Sequence, residues 1–147
     1  MEYLDSKAVI QVGLVVRDIK TAVKNYASIF NIDEPEIRNV FPNITYRGQE
    51  VRPVAKICVF VMGAVAIELV EPDDTASSWK EFLDTRGEGV HNLGIVVEDL
   101  DSAMHILKSN NIPIRQSGGA GWGSYTLVDS EEKLGVVFNI KCNKPIE

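Results

Sequence analysis

Four polar side chains interrupt stretches of the sequence that are otherwise apolar: Gln11, Glu68, Asn92 and Asn139. A polar side chain on a buried strand is disfavoured unless it finds a hydrogen-bond partner. Polar residues at several such places therefore indicate a shared polar site. Amide and carboxylate oxygens can accept hydrogen bonds. Glu68 is the carboxylate of the set and is the candidate general base.

An internal duplication relates these four residues to one another. Residues 11–22 align without a gap to residues 92–103, which makes Gln11 equivalent to Asn92. Residues 65–69 align to residues 136–140, which makes Glu68 equivalent to Asn139. Residues at equivalent positions of a duplicated unit converge on the axis that relates the two units. The identical pairs of the first alignment are Gly13/Gly94, Val15/Val96, Val16/Val97, Asp18/Asp99 and Ala22/Ala103.

The hydrophobic pattern predicts the same order of elements in both halves. In each half an apolar strand precedes an aspartate that suits a helix N-cap, a helical stripe follows, and further strands form a meander. We therefore expect an α+β fold in which two βαβββ repeats pair into a curved mixed sheet around a central cleft. Residues 42–53 are polar and predict a long loop or a ragged strand. The expected units are residues 6–72, a connecting short helix and turn at 73–89, and residues 90–142.

Composition excludes several classes of function. The chain has 147 residues, 45% of them hydrophobic, and a net charge of −6, so a nucleic-acid surface is not expected because phosphates require a basic face. No apolar run is long enough to span a membrane. The N-terminal residues are acidic and lack the apolar core of a secretory signal, so we expect a cytoplasmic protein.

The chain resembles the vicinal-oxygen-chelate superfamily over nearly its whole length. Within it, the resemblance is to the branch of the methylmalonyl-CoA epimerases and lactoylglutathione lyases, with the glyoxalase-like fold. The stretches that carry the resemblance are QVGLVVRD (11–18), IELVEP (67–72), GEGVHNLG (87–94) and LGVVFNI (134–140).

The resemblance implies a divalent metal held by one residue from each of four strands, here Gln11, Glu68, Asn92 and Asn139. Amides stand where the usual set has two histidines and a final glutamate, so we expect weak binding of Zn, Co or Ni. His91 is a further candidate ligand. Strand alternation points it away from the site, whereas a β-bulge would turn it inward.

Two flanking groups are candidates for ligand binding. Gly121 and Trp122 belong to a glycine-rich segment that is either a flexible hairpin connection or a loop at the mouth of the cleft. Arg47 and Arg52 either contact a substrate carboxylate or a CoA phosphate, or lie on a solvated surface.

Two functions remain open at this stage. The resemblance implies a lyase or isomerase that moves a proton next to a carbonyl or thioester, with Glu68 as base or ligand and with a degenerate metal site. The alternative is a metal-free protein that binds and sequesters a small molecule, as bleomycin-resistance proteins do. In either case we expect a small-molecule or acyl-thioester ligand and a homodimer, and no nucleic-acid or membrane partner.

Overall fold

The computed structural model describes residues 3–120 and 123–144. The first half of the chain contains β1 (Gln11–Val15), α1 (Ile19–Phe30), β2 (Arg38–Val40), β3 (Ile44–Tyr46), β4 (Gln49–Val51), β5 (Ala55–Met62) and β6 (Val65–Pro72). The connecting helix is α2 (Ser78–Arg86). The second half contains β7 (Gly89–Val96), α3 (Leu100–Ser109), β8 (Ile114–Ala120), β9 (Gly123–Val128), α4 (Glu131–Leu134) and β10 (Val137–Cys142).

These strands form one mixed sheet with the order β2-β5-β6-β1-β7-β10-β9-β8-β3-β4. The first strands of the two halves, β1 and β7, pair antiparallel at its middle. The last strand of each half pairs parallel to the first strand of the same half, β6 with β1 and β10 with β7. The two halves are thus related by a pseudo-twofold axis, and the expected α+β fold with two paired repeats in a curved mixed sheet is confirmed.

Equivalent residues cap the equivalent helices. Asp18 accepts a hydrogen bond from the backbone N–H of Thr21 at 3.2 Å, and Asp99 accepts one from Ser102 at 3.1 Å. Each aspartate satisfies a backbone donor that the first turn of its helix leaves free. The repeated Asp therefore defines the start of both helices.

Each helix packs its apolar stripe on the sheet of its own half. Ile19 and Val23 of α1 are at most 2% exposed and lie against Phe60 and Leu69. In the second half, α3 packs against β10, and α2 covers a third cluster that includes the fully buried Val15. Burial of this size contributes about 1.5–3 kcal/mol for each large aliphatic side chain.

Residues 42–53, expected to be a loop or a ragged strand, contain the hairpin of β3 and β4. At its turn Arg47 has φ 48° and Gly48 has φ 81°, the left-handed pair that a tight two-residue turn requires. Ile44, only 3% exposed, anchors the hairpin in the core. The hairpin does not pair with its own half but with β8, so the chain passes from β2 at one edge of the sheet to β3 near the other.

No helix in the described residues is both long enough and apolar enough to cross a membrane.

Candidate active site

Gly13 lies at the middle of the sheet between two of the residues that the duplication singled out. On β1 it is opposite Glu68 of β6 on one side and Asn92 of β7 on the other. A Cβ atom at Gly13 would lie 2.4 Å from Asn92 Nδ2. This is shorter than any ordinary contact between atoms that are not bonded, so Asn92 would have to shift. The absence of a side chain at Gly13 therefore gives Asn92 its place over the sheet.

Gly94, the equivalent of Gly13 in the second repeat, leaves room in the same way for Gln11 of the first repeat. It lies opposite Gln11 of β1 and Asn139 of β10. A Cβ atom there would lie 3.0 Å from Gln11 Cβ and 3.2 Å from Gln11 Oε1. Each glycine thus accommodates the polar residue of the opposite repeat, and the structure brings all four predicted residues to one place.

A cavity of about 340 Å³ lies over this part of the sheet and is lined from both halves of one chain. Its charged residues are Glu68, Lys141 and Arg38, so the cavity has one carboxylate and two cations. Arg38 is exposed at the edge, whereas Glu68 and Lys141 are partly buried. The remaining lining residues are Val40, Pro42, Ile57, Trp79, Asn92, Tyr125, Leu127 and Asn139.

Gln11 contacts Lys141 and lies near Glu68. Lys141 Nζ donates a hydrogen bond to Gln11 Oε1 at 3.0 Å. Burial raises the pKa of Glu68 above its ordinary value, against the opposing effects of the Lys141 charge, the Gln11 side-chain amide and the Arg38 charge. A carboxylate whose pKa moves toward neutrality holds a proton more readily, which suits a general base.

Asn92 and Asn139 each present an unsatisfied acceptor. Both residues are buried and line the cavity, and the Oδ1 atom of each has no hydrogen-bond partner among the described residues. A buried polar oxygen without a partner is costly. Because both oxygens are themselves fully buried, a ligand donor would reach them only if the asparagine side chains turned toward the cavity.

His91 sits at a β-bulge, since the β1–β7 register passes from Gly13↔Asn92 to Leu14↔Val90 and skips it. The bulge expected as one alternative is present. The ring, however, lies beneath α2 beside a separate cavity of about 170 Å³, and it is not among the residues that line the larger cavity. Its Nδ1 accepts from Asn92 Nδ2 at 2.9 Å, and its Nε2 lies 2.8 Å from Ser78 Oγ. Because both ring nitrogens have these partners, His91 positions Asn92.

A second chain of hydrogen bonds returns from Ser78 to the cavity. The buried Gln116 accepts from the Ser78 backbone N–H at 2.7 Å and donates to the Tyr125 hydroxyl at 3.1 Å. Burial raises the pKa of Tyr125 to about 12, so its hydroxyl stays protonated. Tyr125 therefore offers the cavity a neutral polar group.

The residues of the cleft do not fit the divalent metal that the family resemblance implies. Within residues 3–120 and 123–144, no group of three or more His, Cys, Asp or Glu side chains is placed to hold a metal ion. Amide oxygens are weaker ligands than carboxylates. The ammonium group of Lys141 already binds the Gln11 oxygen and would repel a dication.

The flanking arginines that the sequence predicted as ligand-binding residues do not line the cavity. Arg47 forms an ion pair with Glu81 at 2.8 Å, and Arg52 is exposed; neither is among the residues that line the 340 Å³ cavity. Gly121 and Trp122 lie outside the described residues.

Sequence reasoning missed Lys141, although a signal for it exists. Lys141 follows Asn139 by two positions on one strand, and strand alternation places both side chains on the same face. It also missed Arg38, for which the short strand β2 gave no clear pattern.

Comparison with known proteins supports the fold and the family. A model of the "Glyoxalase/Bleomycin resistance protein/Dioxygenase superfamily" matches residues 10–126. No curated protein matches the chain in sequence.

Several solved structures match over almost the whole chain. A methylmalonyl-CoA epimerase from Mycobacterium tuberculosis is 21% identical with a TM-score of 0.65, covering 99% of this chain and 93% of that one. A hypothetical protein from Bacillus halodurans C-125 is 21% identical with a TM-score of 0.66, covering 97% and 98%. A Streptomyces coelicolor methylmalonyl-CoA epimerase in complex with 2-nitronate-propionyl-CoA is 18% identical with a TM-score of 0.64, covering 97% and 99%. With the family model matching most of its length, this chain belongs to the glyoxalase/bleomycin resistance protein/dioxygenase superfamily.

Proposed function

We propose that this protein moves a proton at a carbon atom next to a carbonyl or thioester group, with Glu68 as the base. The observation that carries the proposal is the position of Glu68. It is the carboxylate among the residues that line the 340 Å³ cavity, and its pKa is raised by burial. Such a carboxylate can both accept a proton from a weak carbon acid and return it.

The proposed step needs no reagent beyond the substrate. The Glu68 carboxylate takes the proton, the C–H bond breaks, and its electron pair moves to the carbonyl oxygen to give an enolate. The protonated Glu68 exchanges its proton with solvent and then returns a proton to the same carbon, and the carbonyl re-forms. The cations Lys141 and Arg38 at the cavity favour a substrate with a negative charge, because opposite charges attract strongly in a partly desolvated cleft.

An acyl-CoA thioester with a carboxylate fits these demands. Methylmalonyl-CoA epimerases share the fold of this chain, which makes methylmalonyl-CoA the first substrate to test. Its α-carbon lies between a thioester and a carboxylate, so its proton is acidic and its negative charge lies next to the reacting carbon.

Exchange of that α-proton in D₂O, followed by proton NMR, tests the proposal. We expect exchange with the wild type and a rate lower by roughly 10²–10⁴-fold in Glu68→Gln, the usual contribution of a general base. Binding, measured by calorimetry, should survive because glutamine has nearly the same shape. The control is Glu50→Gln, since Glu50 is exposed and lies outside the cavity. Equal exchange rates for wild type and Glu68→Gln would rule out Glu68 as the base.

A binding protein without turnover is the second candidate. The observation that favours it is Asn139, which occupies the position equivalent to Glu68 and cannot carry a proton. Stoichiometric binding of acyl thioesters by the wild type with no exchange on any of them would support this function. The expected homodimer and the cytoplasmic location remain predictions in both cases.

A further inference from the structure

We infer that the ammonium group of Lys141 takes the place of a divalent metal ion in this cleft and is the electrophile that holds the substrate's carbonyl oxygen. The electrophilic role rests on the proposed function. The replacement of a metal by the lysine charge rests on the contacts of Lys141 alone.

Lys141 is held inside the cleft by a specific contact. It lines the 340 Å³ cavity together with Asn139, its neighbour on the same face of β10. Its Nζ donates to Gln11 Oε1 at 3.0 Å. An ammonium group has three donors, and one of them binds Gln11, so within the described residues two remain for a ligand oxygen. Lys141 is thus a fixed cation with free donors at the cavity wall.

The charge of Lys141 acts on the proposed base as well. It attracts the Glu68 carboxylate and opposes the effect of burial on that residue. When Glu68 takes a proton from the substrate, its own negative charge disappears and a negative charge develops on the carbonyl oxygen. An ammonium group that is already in place can then stabilise the enolate oxygen without rearrangement. A metal ion performs this task in metal-dependent enzymes.

The cleft that holds Lys141 also contains side chains that carry oxygen atoms. Gln11 Oε1 binds the ammonium group, and the buried Oδ1 atoms of Asn92 and Asn139 have no hydrogen-bond partner among residues 3–120 and 123–144. With the Glu68 carboxylate they form a set of oxygen donors with one negative charge. Without the lysine, the repulsion between the cleft and a divalent cation would fall, because the single negative charge of this set would no longer be offset. Lys141 therefore excludes the metal by supplying its charge.

Removal of the lysine charge should strengthen the binding of a divalent cation in the cleft. Mn²⁺ binding, measured by electron paramagnetic resonance of the free ion, is compared in wild type, Lys141→Met and Lys141→Arg. We expect the Met variant to bind one Mn²⁺ at least about thirtyfold more tightly than wild type, since one and two charges about 4 Å apart repel by about 2 kcal/mol even in water. The Arg variant keeps the charge and should resemble wild type.

Lys24→Met is the matched control, because Lys24 is exposed on α1; it should bind Mn²⁺ as wild type does. Circular dichroism establishes that each variant folds, and Lys141→Gln provides the same test if Lys141→Met does not. Equal Mn²⁺ affinity of wild type and the charge-free variants overturns the metal replacement.

Proton exchange on methylmalonyl-CoA then tests the electrophilic role separately. We expect wild-type exchange to be unaffected by EDTA and to fall at least tenfold in Lys141→Met. A Met variant that exchanges as fast as wild type in EDTA overturns the electrophilic role and leaves Glu68 as the base. If the wild type shows no exchange at all but Lys141→Met gains Mn²⁺ binding, the proposed function fails and the metal replacement stands.

Discussion

At the scale of single residues, His91 lies outside the cleft and positions Asn92, which lines it. The ring is 1% exposed, and Phe82 packs edge-on against it with ring centroids 5.3 Å apart. Burial lowers the pKa of His91 to about 4, with the Arg115 charge acting in the same direction. The imidazole is therefore neutral near pH 7, and its unprotonated Nδ1 accepts the Asn92 amide proton. This contact fixes the Asn92 side chain, whose oxygen has no hydrogen-bond partner in the part of the chain that the structure describes.

The lowered pKa of His91 predicts that the fold loses stability in mild acid. An unfolded histidine titrates near 6.5, so between pH 6.5 and 4 the unfolded chain binds a proton that the folded chain does not. The contribution to the free energy of unfolding is complete above pH 6.5 and is lost as the pH falls toward 4. We expect a loss of about 2 kcal/mol between pH 7 and pH 5.

Urea unfolding at both pH values measures this loss as the difference between wild type and His91→Gln, in which the titrating group is absent. An identical pH dependence in His91→Gln and wild type would contradict the buried neutral imidazole.

At the scale of elements, the site depends on the central strands β1 and β7. Each has a glycine that leaves room for a polar side chain of the other repeat. Gly13 and Gly94 were visible in the sequence as an identical pair, but their role was not. Only the register shows that each lies beside the polar residue of the other repeat. A glycine that is identical in both repeats and lies next to a candidate site residue therefore indicates that another side chain packs closely against the backbone there.

We predict that Gly13→Ala displaces Asn92. The new Cβ atom would lie 2.4 Å from Asn92 Nδ2, and overpacking of this kind costs about 1–3 kcal/mol of stability. In an Asn92→Ala background the clash is absent, so Gly13→Ala should cost much less there. Thermal or urea unfolding of the four variants of this cycle measures the coupling.

Gly94→Ala is a graded comparison, since its Cβ contacts with Gln11 are longer at 3.0 and 3.2 Å; it should cost less than Gly13→Ala. The same cost of Gly13→Ala in both backgrounds would show that the strain lies elsewhere than at Asn92.

The duplication predicted much of the fold and the four polar residues, because both are repeated. It could not predict what only one half contains. Lys141 corresponds to Val70 in the first half, a core residue that is 2% exposed. Because the two residues differ in type, comparison of the repeats does not identify Lys141 as a site residue. The β3–β4 hairpin has no counterpart among the described residues of the second half, and its three-residue strands are too short to show alternation.

For the whole molecule, the hairpin decides how the cleft is enclosed. The sequence left open whether the two units close their own cleft or pair across a dimer. Pairing of β3 with β8 joins the halves within one chain. At the hairpin turn, Arg47 and Tyr46 both bind Glu81 of α2, at 2.8 and 2.6 Å. The hairpin is thus tied to the connecting helix as well as to the sheet.

A single chain should therefore bind one ligand whatever its oligomeric state. The residues that line the 340 Å³ cavity come from both halves of one chain, so the homodimer that we expect is not needed to complete it. With 2-nitronate-propionyl-CoA as the probe, calorimetry should give one molecule per chain. The dissociation constant should stay the same when fluorescence titrations are run above and below the concentration at which sedimentation shows the dimer to separate. One ligand per two chains, or weaker binding in the separated chains, would show that a partner chain completes the cavity.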